Sequence, residues 1–283
     1  MIVGMGKNNE WIQAREQEKE RLTKALEVSP NDPAALADLG TFFTRREENF
    51  GQAEELFQQA MDIAPENTRI LAQYAEFWAW RFRRSPWTGD PTDECRHKAE
   101  QYFLQAIELD PSCSAAHGGY ATLLWEVKKM EDACQLPAST LAAAEEHYQA
   151  AIAADSVNSG ILVEYAYFLY WATRDYAPIP DIFEQAIAAN PSNQGIYLDY
   201  AGVLTEIQPD LDKVEEIYQR ALEVPPESPN VHEHAARYGE VLAHYARFIL
   251  KHKEDKSAAG PLLEKLRAID PGSCLLKQVE GEL

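Results

Sequence analysis

Positive charge is what this chain has least of for its size: 26 Lys and Arg face 46 Asp and Glu in 283 residues, a formal net charge of −20. Nucleic-acid binding is driven by counterion release onto clustered Lys and Arg, so this balance disfavours direct contact with nucleic acid. An anionic membrane surface is disfavoured for the same reason. Long apolar runs are also missing. No stretch of 18 apolar residues occurs, so no membrane span is expected. Cysteine is sparse: Cys95, Cys113, Cys134 and Cys274 are scattered without a C-x-x-C pair, which fits a reduced, intracellular and cytoplasmic setting. The opening Met1 to Glu10 has no charged segment leading into an apolar run, so no secretory signal is expected.

Catalytic signatures are missing as well. The chain has no G-x-x-x-x-G-K-[ST], no G-x-G-x-x-G after a strand, no G-x-S-x-G and no H-E-x-x-H. The seven histidines give no complete ligand set. His97 stands near Cys95 and His117 near Cys113, but neither has a second pair to make four ligands. His232 and His234 alternate along a helix and would meet His244 and His252 only across turns. Paired carboxylates at Glu54-Glu55, Glu145-Glu146 and Glu215-Glu216 read as first-turn residues that complement a helix dipole, not as acid–base pairs. The reading is of a non-enzyme with no metal, no cofactor and no catalytic residue.

What is present is a phrase that returns seven times, an apolar helix end closed by proline or a stand-in. It reads Ala25-Leu-Glu-Val-Ser-Pro30, Ala60-Met-Asp-Ile-Ala-Pro65, Ala106-Ile-Glu-Leu-Asp-Pro111 and Ala151-Ile-Ala-Ala-Asp-Ser156. It continues as Ala186-Ile-Ala-Ala-Asn-Pro191, Ala221-Leu-Glu-Val-Pro-Pro226 and Leu266-Arg-Ala-Ile-Asp-Pro271. The steps are 35, 46, 45, 35, 35 and 45 residues, a unit of 35 with three inserts of 10 or 11. A period in this range marks a stacked array.

Upstream of each stop lies a helix A with large residues three or four apart beside a small one: Leu36, Leu39, Gly40, Phe43; then Leu71, Tyr74, Ala75, Trp78. His117, Tyr120, Ala121, Leu124 and Leu162, Tyr165, Ala166, Leu169 follow. Tyr197, Tyr200, Ala201, Leu204 and Leu242, Tyr245, Ala246, Ile249 complete the set. Helix B repeats a small–ring–small spacing: Ala53, Phe57, Ala60; Ala99, Phe103, Ala106; Ala144, Tyr148, Ala151; Val214, Tyr218, Ala221. Ile179, Phe183, Ala186 and Ala259, Leu263, Leu266 diverge from it.

Over residues 33–271 this pattern resembles the tetratricopeptide repeat, W-x2-L-G-x2-Y then A-x3-F-x2-A and a closing proline. The resemblance implies an all-α fold, a right-handed superhelical α-α solenoid of about six helical hairpins with capping helices at both ends, about 14 helices in all. The expected layout is a single solenoid over 1–283: an N-terminal helix in 1–30, repeats 31–65, 66–111, 112–156, 157–191, 192–226 and 227–271, and a capping helix in 272–283. Asp32-Pro33 and Ser228-Pro229 read as helix starts, and Ser273 as the cap of a last helix to about Gly281. The inserts, Arg81 to Pro91 and Cys134 to Thr140 among them, are expected to lengthen helix A until it breaks at proline, and Asn230 to Lys251 to form one long helix.

The resemblance also implies a protein-interaction scaffold whose A helices line a concave groove. The groove positions are then Arg69, Glu76 and Trp80; Thr122 and Trp125; Tyr167, Tyr170 and Trp171; and Thr205 and Glu206. Packing between neighbouring helices is the other reading of each ring. The implied partner is another protein, docked as an extended or helical segment of basic or apolar character. One subset of the family grips a C-terminal carboxylate with Lys, Asn and Arg; the equivalent positions here hold Ala37, Thr41, Gln73, Ala115 and Gly119, so that clamp is absent. Arg81, Arg83, Arg84, Arg96 and Lys98, with Trp87, make the one concentrated basic patch and read as a solvated helix end. Tyr197 to Glu206 and Val214 to Leu222 are similar to half-a-tetratricopeptide repeats, which implies as an alternative an assembly factor of an RNA-processing complex; a regulatory or adaptor subunit of an enzyme complex is a third reading, which no residue separates from the scaffold.

Overall fold

Most turns start the next helix alike: a short polar side chain accepts the free N–H groups of the first turn. Asp32 accepts from Ala34 and Ala35 at 2.9 and 3.4 Å, with Pro33 at the first helical position. Asn67 and Asn158 accept from Ile70 and Ile161 at 3.3 Å, Asn193 from Gly195 at 3.0 Å and Asp255 from Ala258 at 3.0 Å. The computed structural model describes residues 6–88, 92–130, 136–207, 210–225 and 231–281. Ser228-Pro229 and Cys134 lie outside the described residues.

Fourteen α-helices occur among the described residues, and no strand. They are α1 (Gly6–Val28), α2 (Pro33–Phe42), α3 (Phe50–Ile63), α4 (Thr68–Thr88), α5 (Thr92–Leu109), α6 (Ser114–Met130) and α7 (Ala138–Ala154). There follow α8 (Ser159–Phe168), α9 (Ile179–Ala189), α10 (Gln194–Ile207), α11 (Leu211–Glu223), α12 (Val231–Phe248), α13 (Lys256–Ile269) and α14 (Cys274–Gly281). They gather into two compact units, one over Arg15–Thr173 and one made of Met1–Ala14 with Arg174–Leu283. The first contains the hairpins α2–α3, α4–α5 and α6–α7, the second α10–α11 and α12–α13.

The small–ring–small spacing builds both cores. The alanines Ala53, Ala60, Ala99, Ala106, Ala144 and Ala151 are 0% exposed, as are the rings Phe57, Phe103 and Tyr148 between them. Each ring then lies against the tyrosine of the next A helix. Centroids are 5.3 Å apart for Phe57–Tyr74, 6.5 Å for Phe103–Tyr120 and 5.4 Å for Tyr148–Tyr165 in the first unit. In the second they are 5.0 Å apart for Phe183–Tyr200 and 5.2 Å for Tyr218–Tyr245, both nearly parallel at 10° and 11°. Such pairs contribute about 0.5–1.5 kcal/mol beyond the area they bury.

The paired glutamates correct the dipole reading. Glu54 and Glu215 are the fifth residues of α3 and α11, and Glu145 is the eighth of α7, so none sits in a first turn. They reach the next A helix instead. Tyr165 donates to Glu145 at 3.3 Å, Tyr245 to Glu215 at 2.6 Å and, at the same repeat position, Tyr120 to Glu100 at 3.1 Å. Arg81 donates to Glu54 at 2.9 Å.

The inserts lengthen both helices of a hairpin, not helix A alone: α4 and α5 have 21 and 18 residues and α6 and α7 have 17 each, against 10 and 14 in α2 and α3. Nor does α4 break at Pro86. Proline has no N–H for the carbonyl of Phe82, but the Ser85 hydroxyl donates to it at 2.8 Å. At α2 and α12 the helix instead widens into a π turn, Phe43–Glu47 and Ile249–Lys253, closed by left-handed Glu48 and Glu254. At the far end α14 buries Leu276 and Val279, closing the apolar face an array would leave open.

Burial lifts the phenols of Tyr74, Tyr120, Tyr200, Tyr218 and Tyr245 from 10.0 to about 12, helped at Tyr120 and Tyr245 by Glu100 and Glu215. A raised tyrosine pKa favours the neutral form in the folded state. That contribution is complete below pH 10 and is lost as pH rises from 10 to about 12. Denaturant midpoints measured across this range should fall steadily, in step with tyrosinate absorbance. A flat midpoint up to pH 12 would show that these rings titrate freely.

Candidate functional site

On the A helices of the first unit, positions left over from packing form a ladder of charge pairs. Arg69 donates to Asp38 at 2.7 Å, and the Gln73 amide donates to the same carboxylate at 3.0 Å. Farther along α4, Arg83 donates to Glu126 of α6 at 2.7 Å and to Glu76 at 3.3 Å. Burial alone would lower the Arg83 pKa, but Glu76, Glu126 and Glu164 outweigh it, so the guanidinium is held charged. Its plane stands 5.5 Å from the Trp80 ring, with Arg84 at 5.8 Å. Between these pairs opens a cavity of about 240 Å³ walled by Thr41, Arg45, Arg69, Gln73, Glu76 and Trp80. Its rim is set by interlocked side chains, so little order remains to be imposed on binding.

The expected groove residues divide. Arg69, Glu76 and Trp80 line the cavity. Tyr167 and Tyr170 are half-buried at the end of α8 and in the π turn Leu169–Thr173, where Tyr170 packs edge-on to Trp171 at 4.7 Å. Trp171 is 47% exposed. Thr122 and Trp125 are not on the face at all. Both are buried, and both bond the Tyr148 hydroxyl, at 2.9 and 3.0 Å. The reason is that the wholly buried Tyr148 carries a hydroxyl, which must find partners, and these two side chains supply them. In the second unit Thr205 donates to its own helix at Ala201, and Glu206 is exposed.

The basic patch is paired with carboxylates as well as solvated. Arg81 pairs with Glu54, Arg84 with Glu48 and Lys98 with Glu94, while Lys98 also stands 4.0 Å above the Trp78 ring. The Trp87 side chain lies outside the described residues. His117 finds His147, not a cysteine: its Nε2–H donates to the Pro111 carbonyl at 3.1 Å, which leaves Nδ1 to accept from His147 Nδ1–H at 2.8 Å. Tyr197 at the same repeat position makes the same bond, to Pro191 at 3.0 Å. Burial first, and His117 second, lowers the His147 pKa. Among the described residues no group of three or more His, Cys, Asp and Glu is placed to hold a metal ion, and no helix is long and apolar enough to cross a membrane.

No protein-family model matches the chain, and no curated protein matches it. Solved structures do. The C-terminal part of a TPR repeat-containing protein from Cytophaga hutchinsonii aligns with a TM-score of 0.53 at 14% identity, over 95% of this chain and 96% of that one. This is a tetratricopeptide-repeat fold. A structure of PilF from Pseudomonas aeruginosa aligns with a TM-score of 0.56 at 16% identity, covering 95% of this chain and 100% of that one. A structure of the human IFIT1 dimer with m7Gppp-AAAA aligns with a TM-score of 0.62 at 18% identity, over 95% of this chain and 57% of that one. At these identities the likeness is one of fold. Within the tetratricopeptide pattern, an arginine of the Val214 to Leu222 segment ties two helices together. Arg220 of α11 grips Glu184 of α9 through two bonds of 2.8 and 2.9 Å.

Of the described glycines, Gly119 of α6 leaves least room for a side chain. A methyl there would meet Phe103 at 2.4 Å and Glu76 at 2.8 Å. Gly119→Ala should therefore destabilise the fold by about 1–3 kcal/mol, despite the helix propensity of alanine. Gly202→Ala, where nothing stands within 4 Å, should stabilise it by up to about 1 kcal/mol. Urea midpoints of the two variants should move in opposite directions; equal shifts would show that the crowding at Gly119 has no consequence.

Proposed function

We propose that the chain is a non-enzymatic scaffold that docks an extended or helical segment of a partner protein on the A-helix face of residues 15–173. The observation that carries this reading is the cavity beside Trp80, walled by side chains already tied to one another. Trp80 gives a large contact area at low entropic cost, as does Trp171 in the same unit, and tryptophan is enriched where binding energy concentrates. Glu76, Glu126 and Glu164 outnumber Arg83 at the far end of this face, which suits a basic or apolar segment there better than an acidic one. The face offers surface for contact and no nucleophile held by a base.

The human neighbour's structure contains m7Gppp-AAAA, but RNA is a poor fit for this face. Its best-placed arginines, Arg69 and Arg83, are already committed to Asp38, Glu76 and Glu126.

Peptides selected from a random display library against the full chain should bind with dissociation constants of about 1–100 μM. Trp80→Ala combined with Trp171→Ala should weaken the selected peptides at least tenfold, a loss of about 1.4 kcal/mol or more, with helical circular dichroism unchanged. Trp125→Ala is unsuited to this test because that ring is buried. Selected peptides that bind the double variant as tightly as the wild type would place the docking surface elsewhere.

A further inference from the structure

In a chain where carboxylates outnumber cations 46 to 26, an arginine with no carboxylate at hydrogen-bond distance needs an explanation. Three such arginines stand together. Arg21 of α1 makes no ion pair or hydrogen bond among the described residues. Arg45 has its nearest carboxylate, Glu76, at 3.9 Å, and Glu76 is already engaged by Arg83 at 3.3 Å. Arg46 stands 3.7 Å from Glu18, too far for a hydrogen bond. All three line one cavity of about 480 Å³ between α1 and the end of α2, with the buried Leu22 and Phe42 also in its wall.

The local backbone brings them together. Consecutive residues of an α-helix point about 100° apart, and the wider π turn Phe43–Glu47 narrows that angle, so Arg45 and Arg46 both reach the same cavity. Two carboxylates share the space. Asp38 is occupied by Arg69 and Gln73, at 2.7 and 3.0 Å. Glu18 holds Arg46 only at long range.

We propose that this cavity binds an oxyanion, either a phosphoryl group or the paired carboxylates of an acidic peptide. Guanidinium forks match both chemistries, each offering two parallel N–H donors to two oxygens. The site shares Thr41 and Arg45 with the Trp80 cavity but stands on different arginines, and it does not depend on the partner-docking reading.

Isothermal titration of the full chain at low salt, with inorganic pyrophosphate and with triglutamate as separate probes, tests this. Saturable binding of at least one probe is expected, lost as salt is raised and the Debye length shrinks to about 3 Å. Pyrophosphate alone identifies a phosphoryl ligand and triglutamate alone a carboxylate ligand. Arg21→Gln with Arg46→Gln should weaken binding at least tenfold, and these side chains hold no short tie whose loss would unfold the chain. Glu18→Gln, which removes the competing carboxylate, should tighten it about threefold. Absence of saturable binding for both probes, or equal binding by the double arginine variant, overturns the proposal; so does weaker binding by Glu18→Gln.

Discussion

An aromatic or phenolic ring on five of the six B helices, laid against the tyrosine of the following A helix, is the contact on which the rest of this fold depends. In four of the five pairs the partners are seventeen residues apart: Phe57 and Tyr74, Phe103 and Tyr120, Tyr148 and Tyr165, Phe183 and Tyr200. The first two inserts fall between helix A and helix B of one hairpin, where both helices grow and the spacing from ring to next tyrosine survives. Only Tyr218 and Tyr245 stand farther apart in sequence, because the last insert precedes the sixth A helix. The flanking alanines follow from the same contact. A ring that must reach the next helix needs its own helix packed close, which only small neighbours permit.

Charge works as a second tie over this frame. The phenol that stacks on one face donates its hydroxyl to a glutamate of the preceding B helix, as at Tyr120 and Glu100. This leaves many carboxylates with structural partners despite the net charge of −20. It also makes the exceptions informative. Arg83 is surrounded by three carboxylates, while Arg45 and Arg46 meet one each only at 3.9 and 3.7 Å, so the same helical face changes character along its length.

How much can be read from the residues follows from range. Helix starts at Asp32-Pro33, the buried Ala53, Phe57 and Ala60, and the closing helix Cys274–Gly281 are local patterns, and they are legible. Glu145 is misread because its partner, Tyr165, lies one repeat away, so the local helix-end argument has nothing to compete with it. Trp125 follows the packing reading, and its burial depends on a hydroxyl at Tyr148, where neighbouring repeats carry phenylalanine at Phe57 and Phe103. That substitution is visible in the sequence and signals a polar partner inside. The passage of α4 through Pro86 rests on one serine hydroxyl, and the arginine cavity on distances; neither has a signature in spacing.

The stacked pair Phe183–Tyr200, with ring planes 10° apart, offers the most direct test. A double-mutant cycle on Phe183→Leu and Tyr200→Leu, read by urea unfolding, isolates their coupling from the area each ring buries. A favourable coupling of about 0.5–1.5 kcal/mol is the predicted result. Strictly additive losses would contradict the account, leaving the rings as independent fillers of a core held together by something else.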